Sequence, residues 1–323
     1  MLESDNYGNH PIPVDEGQSD TFAIILDGLR RPGHANPSGA GVDAARDLHA
    51  PSDGAWQYHR HLRQPRHSAW RPNDDARMIG HSMSTLSVRV WRSAAMGEGG
   101  RFVAYEVPRV PAQTVLDVVT HIQRRIDATL AYRFACRVGM CGSCAMTVNG
   151  RARWTCRTHV EAVAGDGALE IAPLANMPVI RDLVTDMREF FDKWARAKGQ
   201  FVPSATRHDD FATILPAARA RRAIDAAIEC IGCGVCYASC DVVAWNPAYL
   251  GPAALNRAWT LVNDPRDAAY PERLAAVAGD AGCHACHTHQ SCTDRCPKQL
   301  SPTASIAGLK RKTAFAALRG DMR

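Results

Sequence analysis

Between residues 86 and 171 apolar and polar positions alternate in short runs. Leu86-Ser87-Val88-Arg89-Val90-Trp91-Arg92 repeats at period two, the pattern of a half-buried strand, and Gly99-Gly100 lead into a second strand over 101–107. Thr114 opens a stretch in which Val115, Val118, Val119, Ile122 and Ile126 recur near helical spacing, so one face of a helix is buried. After it, 145–148 and 151–155 flank Asn149-Gly150, the preferred pair for a type I′ hairpin turn, and 168–171 adds a strand. Beyond Pro178 the period changes. Ile180, Leu183, Met187, Phe190, Phe191 and Trp194 form an apolar stripe that ends at Gly199, which predicts a helix whose stripe is core rather than a cofactor box. Further helices are predicted over 217–228, 252–262 and 302–318.

Cysteine spacing adds chemistry to this framework, because eleven of the twelve cysteines fall into two patterns. Cys136-x4-Cys141-x2-Cys144-x11-Cys156 is the plant-type ferredoxin spacing that holds a 2Fe-2S cluster. Cys230-x2-Cys233-x2-Cys236-x3-Cys240, answered by Cys286-x5-Cys292-x3-Cys296-Pro297, is the bacterial ferredoxin arrangement, in which the last cysteine of each run serves the other cluster. Gly139, Gly142 and Ser143 around the first set, and Gly232 and Gly234 around the second, let the backbone come close to an inorganic core. Disulfides and zinc are the competing readings. The interlocked second pattern disfavours zinc, and no secretory signal is recognisable to favour bridges.

One position decides the last cluster. Three residues after Cys286, where a two-cubane ferredoxin has a cysteine, this chain has His289. The expectation is a 4Fe-4S cluster on Cys230, Cys233, Cys236 and Cys296, and a 3Fe-4S cluster on Cys240, Cys286 and Cys292. His289 as a fourth ligand and Cys283 as a spare thiol stay open, beside blander readings as a hydrogen-bonded surface histidine and a small buried hydrophobe. Three clusters in one chain make a wire.

The fold class expected is α+β. Four or five short strands crossed by one helix fit a β-grasp, plant-type 2Fe-2S ferredoxin domain over 83–178, followed by an all-α, bacterial-ferredoxin-like domain over 179–323. Residues 1–82 read differently. They hold no cysteine, seven of the thirteen histidines, and Pro, Gly and Arg in no period, so disorder is expected. Residues 22–26 are too short to span a bilayer and lack the flanks of a signal peptide. An upstream extension of a native chain that starts at Met83 is one expectation for this segment, and a histidine-rich metal-binding tail is its rival. Residues 83–323 carry 30 Lys+Arg against 22 Asp+Glu, net +8. That charge suits a peripheral subunit near anionic headgroups; no nucleic-acid module accompanies it, so no nucleic-acid partner is expected.

The ordered cysteines, Cys136-Arg137-x-Gly139-x-Cys141-Gly142-Ser143-Cys144, Trp245-Asn246-Pro247 through Tyr249-Leu250-Gly251-Pro252, Asp264-Pro265-Arg266-Asp267 and Cys296-Pro297-Lys298 resemble the iron–sulfur subunit of succinate dehydrogenase and fumarate reductase over about residues 84 to 317. The resemblance implies electron transfer from the FAD of a flavoprotein subunit through the clusters to a membrane quinone. It also implies a membrane anchor and a peripheral site on the cytoplasmic face of the inner (cell) membrane. By position it makes Trp245 and His287 candidates for the quinone pocket, while Asp241 departs from the proline that many members carry there. No catalytic residue for succinate is expected, since the chain lacks a Rossmann-type glycine fingerprint for flavin. Fumarate reduction in the opposite direction, and an iron–sulfur carrier subunit of another dehydrogenase, are the alternatives.

Overall fold

The computed structural model describes residues 84–164 and 167–321. The expectations for residues 1–82 fall outside the described residues. Alternation in the first segment becomes β1 (Thr85–Arg92), paired antiparallel with β2 (Arg101–Pro108) from Thr85↔Pro108 to Arg92↔Arg101. Leu86, Val88 and Val90 point to the core while the residues between them face outward, which is what period two requires of a sheet covered on one side. β3 (Ala145–Val148), β4 (Arg151–Trp154) and β5 (Leu169–Ala172) complete a mixed sheet of order β2-β1-β5-β3-β4, with β1 and β5 parallel. At the β3–β4 turn Asn149 and Gly150 both have positive φ, 48° and 72°, as a type I′ turn demands.

Helix α1 (Val115–His121) crosses this sheet, and a short helix, α2 (Val160–Ala164), lies between β4 and β5 in the chain. The capping box of α1 is complete: the Asp117 N–H donates to the Thr114 hydroxyl, and the Thr114 N–H donates to the Asp117 carboxylate. The predicted helix continues to Ile126 but widens into a π-type turn over Ile122–Ile126. The turn ends where Asp127 and Thr129 join the network around Arg92.

The stripe beyond Pro178 differs from its prediction. Residues 179–185 form a hairpin, β6 (Val179–Arg181) and β7 (Val184–Thr185), and a helix, α3, spans only Arg188–Arg196. The cause is Asp182, at φ 47° in the turn and 1% exposed. Its carboxylate accepts from Arg92 Nε at 2.9 Å, from the Ser93 N–H at 3.0 Å and from the Ala131 N–H at 2.8 Å. Those donors outweigh the local helical period, and Leu183 packs into the core under the first sheet, so contacts with the first half continue past residue 178.

Among the described residues beyond Thr185 the ordered elements are helical: α4 (Arg219–Ile224), α5 (Val235–Ala238), α6 (Asp241–Trp245), α7 (Pro252–Val262), α8 (Tyr270–Val277), α9 (Ser291–Asp294) and α10 (Pro302–Arg319). The long α7 and α10 pack together, and Gly308 lets Trp259 lie on the helix backbone, where a methyl group would meet the ring at 2.5 Å. α8 is tied down by Arg273, whose guanidinium donates to both Asp267 oxygens at 2.8 Å with both side chains fully buried. One core lies beneath the sheet; the second runs across the seam, joining Trp154, Leu174 and Met177 to Phe190, Val235, Tyr237 and Leu255.

Candidate metal centres

The first four cysteines sit between α1 and β3 and just after β4. Arg137, Gly139 and Gly142 all adopt left-handed backbone, curling the loop so that the Met140 and Cys141 N–H groups point at the Cys136 sulfur, at 3.2 and 3.3 Å. Thr155 ties the far side: its N–H and hydroxyl donate to the Cys144 carbonyl at 3.2 and 2.8 Å, which sets Cys156 beside Cys144. The two sides differ electrostatically. The Cys136 and Ser143 donors draw the Cys141 thiol down to about 6, while burial and its neighbour Cys144 push Cys156 up to about 11. The loop tip is apolar and open, with Val138 60% and Met140 66% exposed.

The other seven cysteines of the two patterns line two cavities. Cys230, Cys233, Cys236 and Cys296 surround one with Gly232, Gly234 and Pro297, leaving about 410 Å³ between them, part of it open to solvent. Cys240, Cys286 and Cys292 surround the second, of about 330 Å³, with Asp241, His287 and His289. The last cysteine of each run thus lies in the other run's cavity. Burial pushes the thiols of Cys230, Cys233, Cys236, Cys240 and Cys292 up, so the thiolates that ligation requires would be stabilised by a bound metal rather than by the chain's own charges. Soft donors converging on partly enclosed spaces, the first beside glycines at φ 65° and 79°, fit iron–sulfur clusters. The first centre touches the second: a methyl group on Gly142 would stand 2.4 Å from the Cys233 Cβ.

Cys283 takes no part in these cavities. It is fully buried in the second core, its sulfur 3.7 Å from the Thr313 hydroxyl. His289 lines the second cavity, and its Nδ1 lies 3.2 Å from the Asp241 carboxylate. Trp245, His287 and His289 gather into one exposed aromatic group, with ring centroids 5.9, 5.7 and 6.0 Å apart. The loop carrying both histidines is tightly wound, with Thr288 and Gln290 at φ 61° and 67°. Sequence reasoning missed two partners here. The Asp241–His289 pair spans 48 positions, and Tyr249 is buried beside Cys286 and has its hydroxyl pushed up by that burial. Tyr249 and Asp241 stood in quoted segments, yet nothing local says what they touch.

Comparison with known proteins follows this geometry. A family described as "2Fe-2S iron-sulfur cluster binding domain" matches residues 87–192, and one described as "4Fe-4S dicluster domain" matches residues 229–301. The succinate dehydrogenase iron–sulfur subunit of Paracoccus denitrificans is 36% identical over 197 residues, covering 61% of this chain and 74% of that protein. The fumarate reductase iron–sulfur subunit of Mycobacterium tuberculosis is 36% identical over 222 residues, covering 68% and 88%. A chain of the Mycobacterium smegmatis Sdh1 complex in the apo form superposes with a TM-score of 0.64 at 27% identity, over 72% of this chain and 97% of that one. The two domains fit a two-domain ferredoxin-like fold, and among the described residues no helix is long and apolar enough to cross a membrane. The chain therefore belongs to the family of iron–sulfur electron-transfer subunits of succinate dehydrogenase and fumarate reductase.

Proposed function

We propose that the chain carries electrons from succinate to quinone, as the iron–sulfur subunit of a succinate dehydrogenase. In this reading the first sheet is a β-grasp domain holding 2Fe-2S on Cys136, Cys141, Cys144 and Cys156. Cys230, Cys233, Cys236 and Cys296 hold 4Fe-4S, and Cys240, Cys286 and Cys292 hold 3Fe-4S. The supporting observation is the arrangement of the three cysteine sites: the exposed first loop packs through Gly142 on Cys233 of the second, and the last cysteine of each later run lies in the other run's cavity, that of the third site being lined also by His287. Bound clusters supply one-electron redox centres; the chain supplies the rest.

Backbone N–H groups aimed at Cys136 stabilise negative charge on that sulfur, and the packing around Cys236 withdraws that thiol from most of the solvent. The open apolar tip at Val138 and Met140 suits docking against an FAD-bearing flavoprotein subunit. At the other end, the Trp245 ring and the His287 imidazole offer a flat aromatic wall and a proton donor to a quinone oxygen. A membrane anchor would complete that pocket and hold the basic chain peripherally at the cytoplasmic face of the membrane.

Fumarate reduction is the second reading, favoured by the 36% identity to the M. tuberculosis fumarate reductase subunit. The test is succinate-dependent quinone reduction by the complex that this chain draws from detergent-solubilised membranes, with quinol-dependent fumarate reduction run beside it. The faster direction names the working one. A cluster-loaded preparation with neither activity and no flavoprotein partner would sink both readings and leave the carrier subunit of another dehydrogenase.

A further inference from the structure

Outside the two cysteine cavities, a cleft opens between β4 and the segment that follows α9, with about 1040 Å³ of space, part of it open to solvent. Four arginines line it, Arg151, Arg153, Arg157 and Arg295, against one carboxylate, Asp294. β4 brings the first two together. Residues two apart in a strand face the same side, so Arg151 and Arg153 turn away from the core that takes Ala152 and Trp154. Arg157 lies over the first loop, where a methyl group on Gly139 would stand 3.0 Å from its Cγ. Arg295 forms the other wall; it is half-buried, and its Nη1 is fully enclosed.

These cations are unbalanced. None of the four forms an ion pair or a side-chain hydrogen bond among the described residues, exposed Asp294 included, and Arg295 Nη1 meets no acceptor. Burial and the like charge of Arg151 push the Arg153 guanidinium down. Gathering like charges away from water without a counter-charge costs free energy, and protein walls focus their field into the cleft. Each guanidinium also presents a planar fork of N–H donors that matches the paired oxygens of a phosphate or carboxylate. We propose that the cleft is a binding site for a small oxyanion with two negative charges, a phosphate or a dicarboxylate, held by Arg151, Arg153, Arg157 and Arg295. The cleft borders the first loop at Val138 and Gly139 and the last cysteine run at Pro297, so the bound anion sits at the seam between the two halves of the chain. The site stands independently of what the cysteines hold.

Calorimetric titration of the full-length, cluster-loaded chain with inorganic phosphate, and separately with succinate, tests this. At about 0.15 M chloride, diffuse attraction to surface charge is largely screened. Saturable one-to-one binding is expected, and the tighter of the two anions names the class. Replacing two donors, Arg151→Gln with Arg153→Gln, should weaken that binding by about tenfold or more. Arg188→Gln, which removes an exposed cation outside the cleft, should leave it unchanged. No saturable binding of either anion overturns the proposal. Equal affinity in the double variant overturns it too, as does the same loss in Arg188→Gln, which would mean that only overall charge is read. Circular dichroism checks the fold of the double variant. Should that variant not fold, Arg157→Gln, at an exposed position, takes its place with the same two outcomes.

Discussion

Gly142 has a left-handed backbone at φ +72° and no space for a side chain beside Cys233. Gly142→Ala would therefore meet both a conformational cost of about 1–2 kcal/mol and a clash that pushes the first loop away from the second site. The expected result is a lower melting temperature and a fall in 2Fe-2S content, read by unfolding and by iron and sulfide analysis; unchanged values would mean that the loop does not rest on Cys233. His287 is exposed and stands against Trp245, so His287→Leu should leave every cluster in place. Loss of a general acid at the quinone lowers turnover by about 100-fold, measured as succinate-dependent quinone reduction. Normal turnover with intact clusters would remove His287 from the pocket.

At the level of elements, the most consequential contact joins the β6–β7 turn to the end of β1. Arg92 reaches Asp182, Asp127, the Tyr105 hydroxyl and Thr129, and Asp182 has no access to water. Arg92→Met strands that carboxylate in the interior at a cost of about 3 kcal/mol, which a denaturant titration would read. The same network sets an acid limit. The Thr129 hydroxyl and the Arg92 guanidinium hold the Asp127 carboxyl well below the usual carboxylate range. A group depressed on folding contributes stability above its unfolded pKa, about 4, and that contribution fades as pH falls through the lower folded value. Stability of the wild type should thus decline steeply on acidification below about pH 4. The Arg92→Met variant, already without part of this contribution, should show a shallower decline, and parallel acid titrations of the two proteins would contradict the account.

At the scale of the whole molecule, the described residues pack across the joint at which the period changes. The second core takes residues from β4, from the segment after β5 and from the helical half, and the β6–β7 hairpin completes the first sheet's polar network. A fragment of residues 84–178 lacks Asp182 and leaves Trp154, Leu174 and Met177 without their partners. It is expected to stay largely unfolded by far-UV circular dichroism, whereas residues 84–321 with clusters should unfold in one cooperative transition. A well-folded 84–178 fragment would show that the seam is dispensable. The shared core also suits electron transfer, because it fixes the first loop against the second site instead of leaving two ferredoxin-like units on a tether.

By itself the sequence determined what is local. The spacing of the thiols pointed to 2Fe-2S and 4Fe-4S chemistry, the alternation of Leu86, Val88 and Val90 defined β1, Asn149-Gly150 defined the hairpin, and apolar period with proline at the first turn defined α7 and α10 to within a residue. These features are set by neighbours a few positions away, so they leave a periodic trace. Tertiary structure decided what depends on distant partners. Residues 179–185 became a hairpin because the donors to Asp182 lie 51 to 90 positions upstream, which a helical stripe at Ile180 and Leu183 does not register. It also placed Cys283 in the core rather than in a cavity and joined Asp241 to His289. Periodicity records whether a residue is buried; what it touches once buried is set by the packing of the rest of the chain.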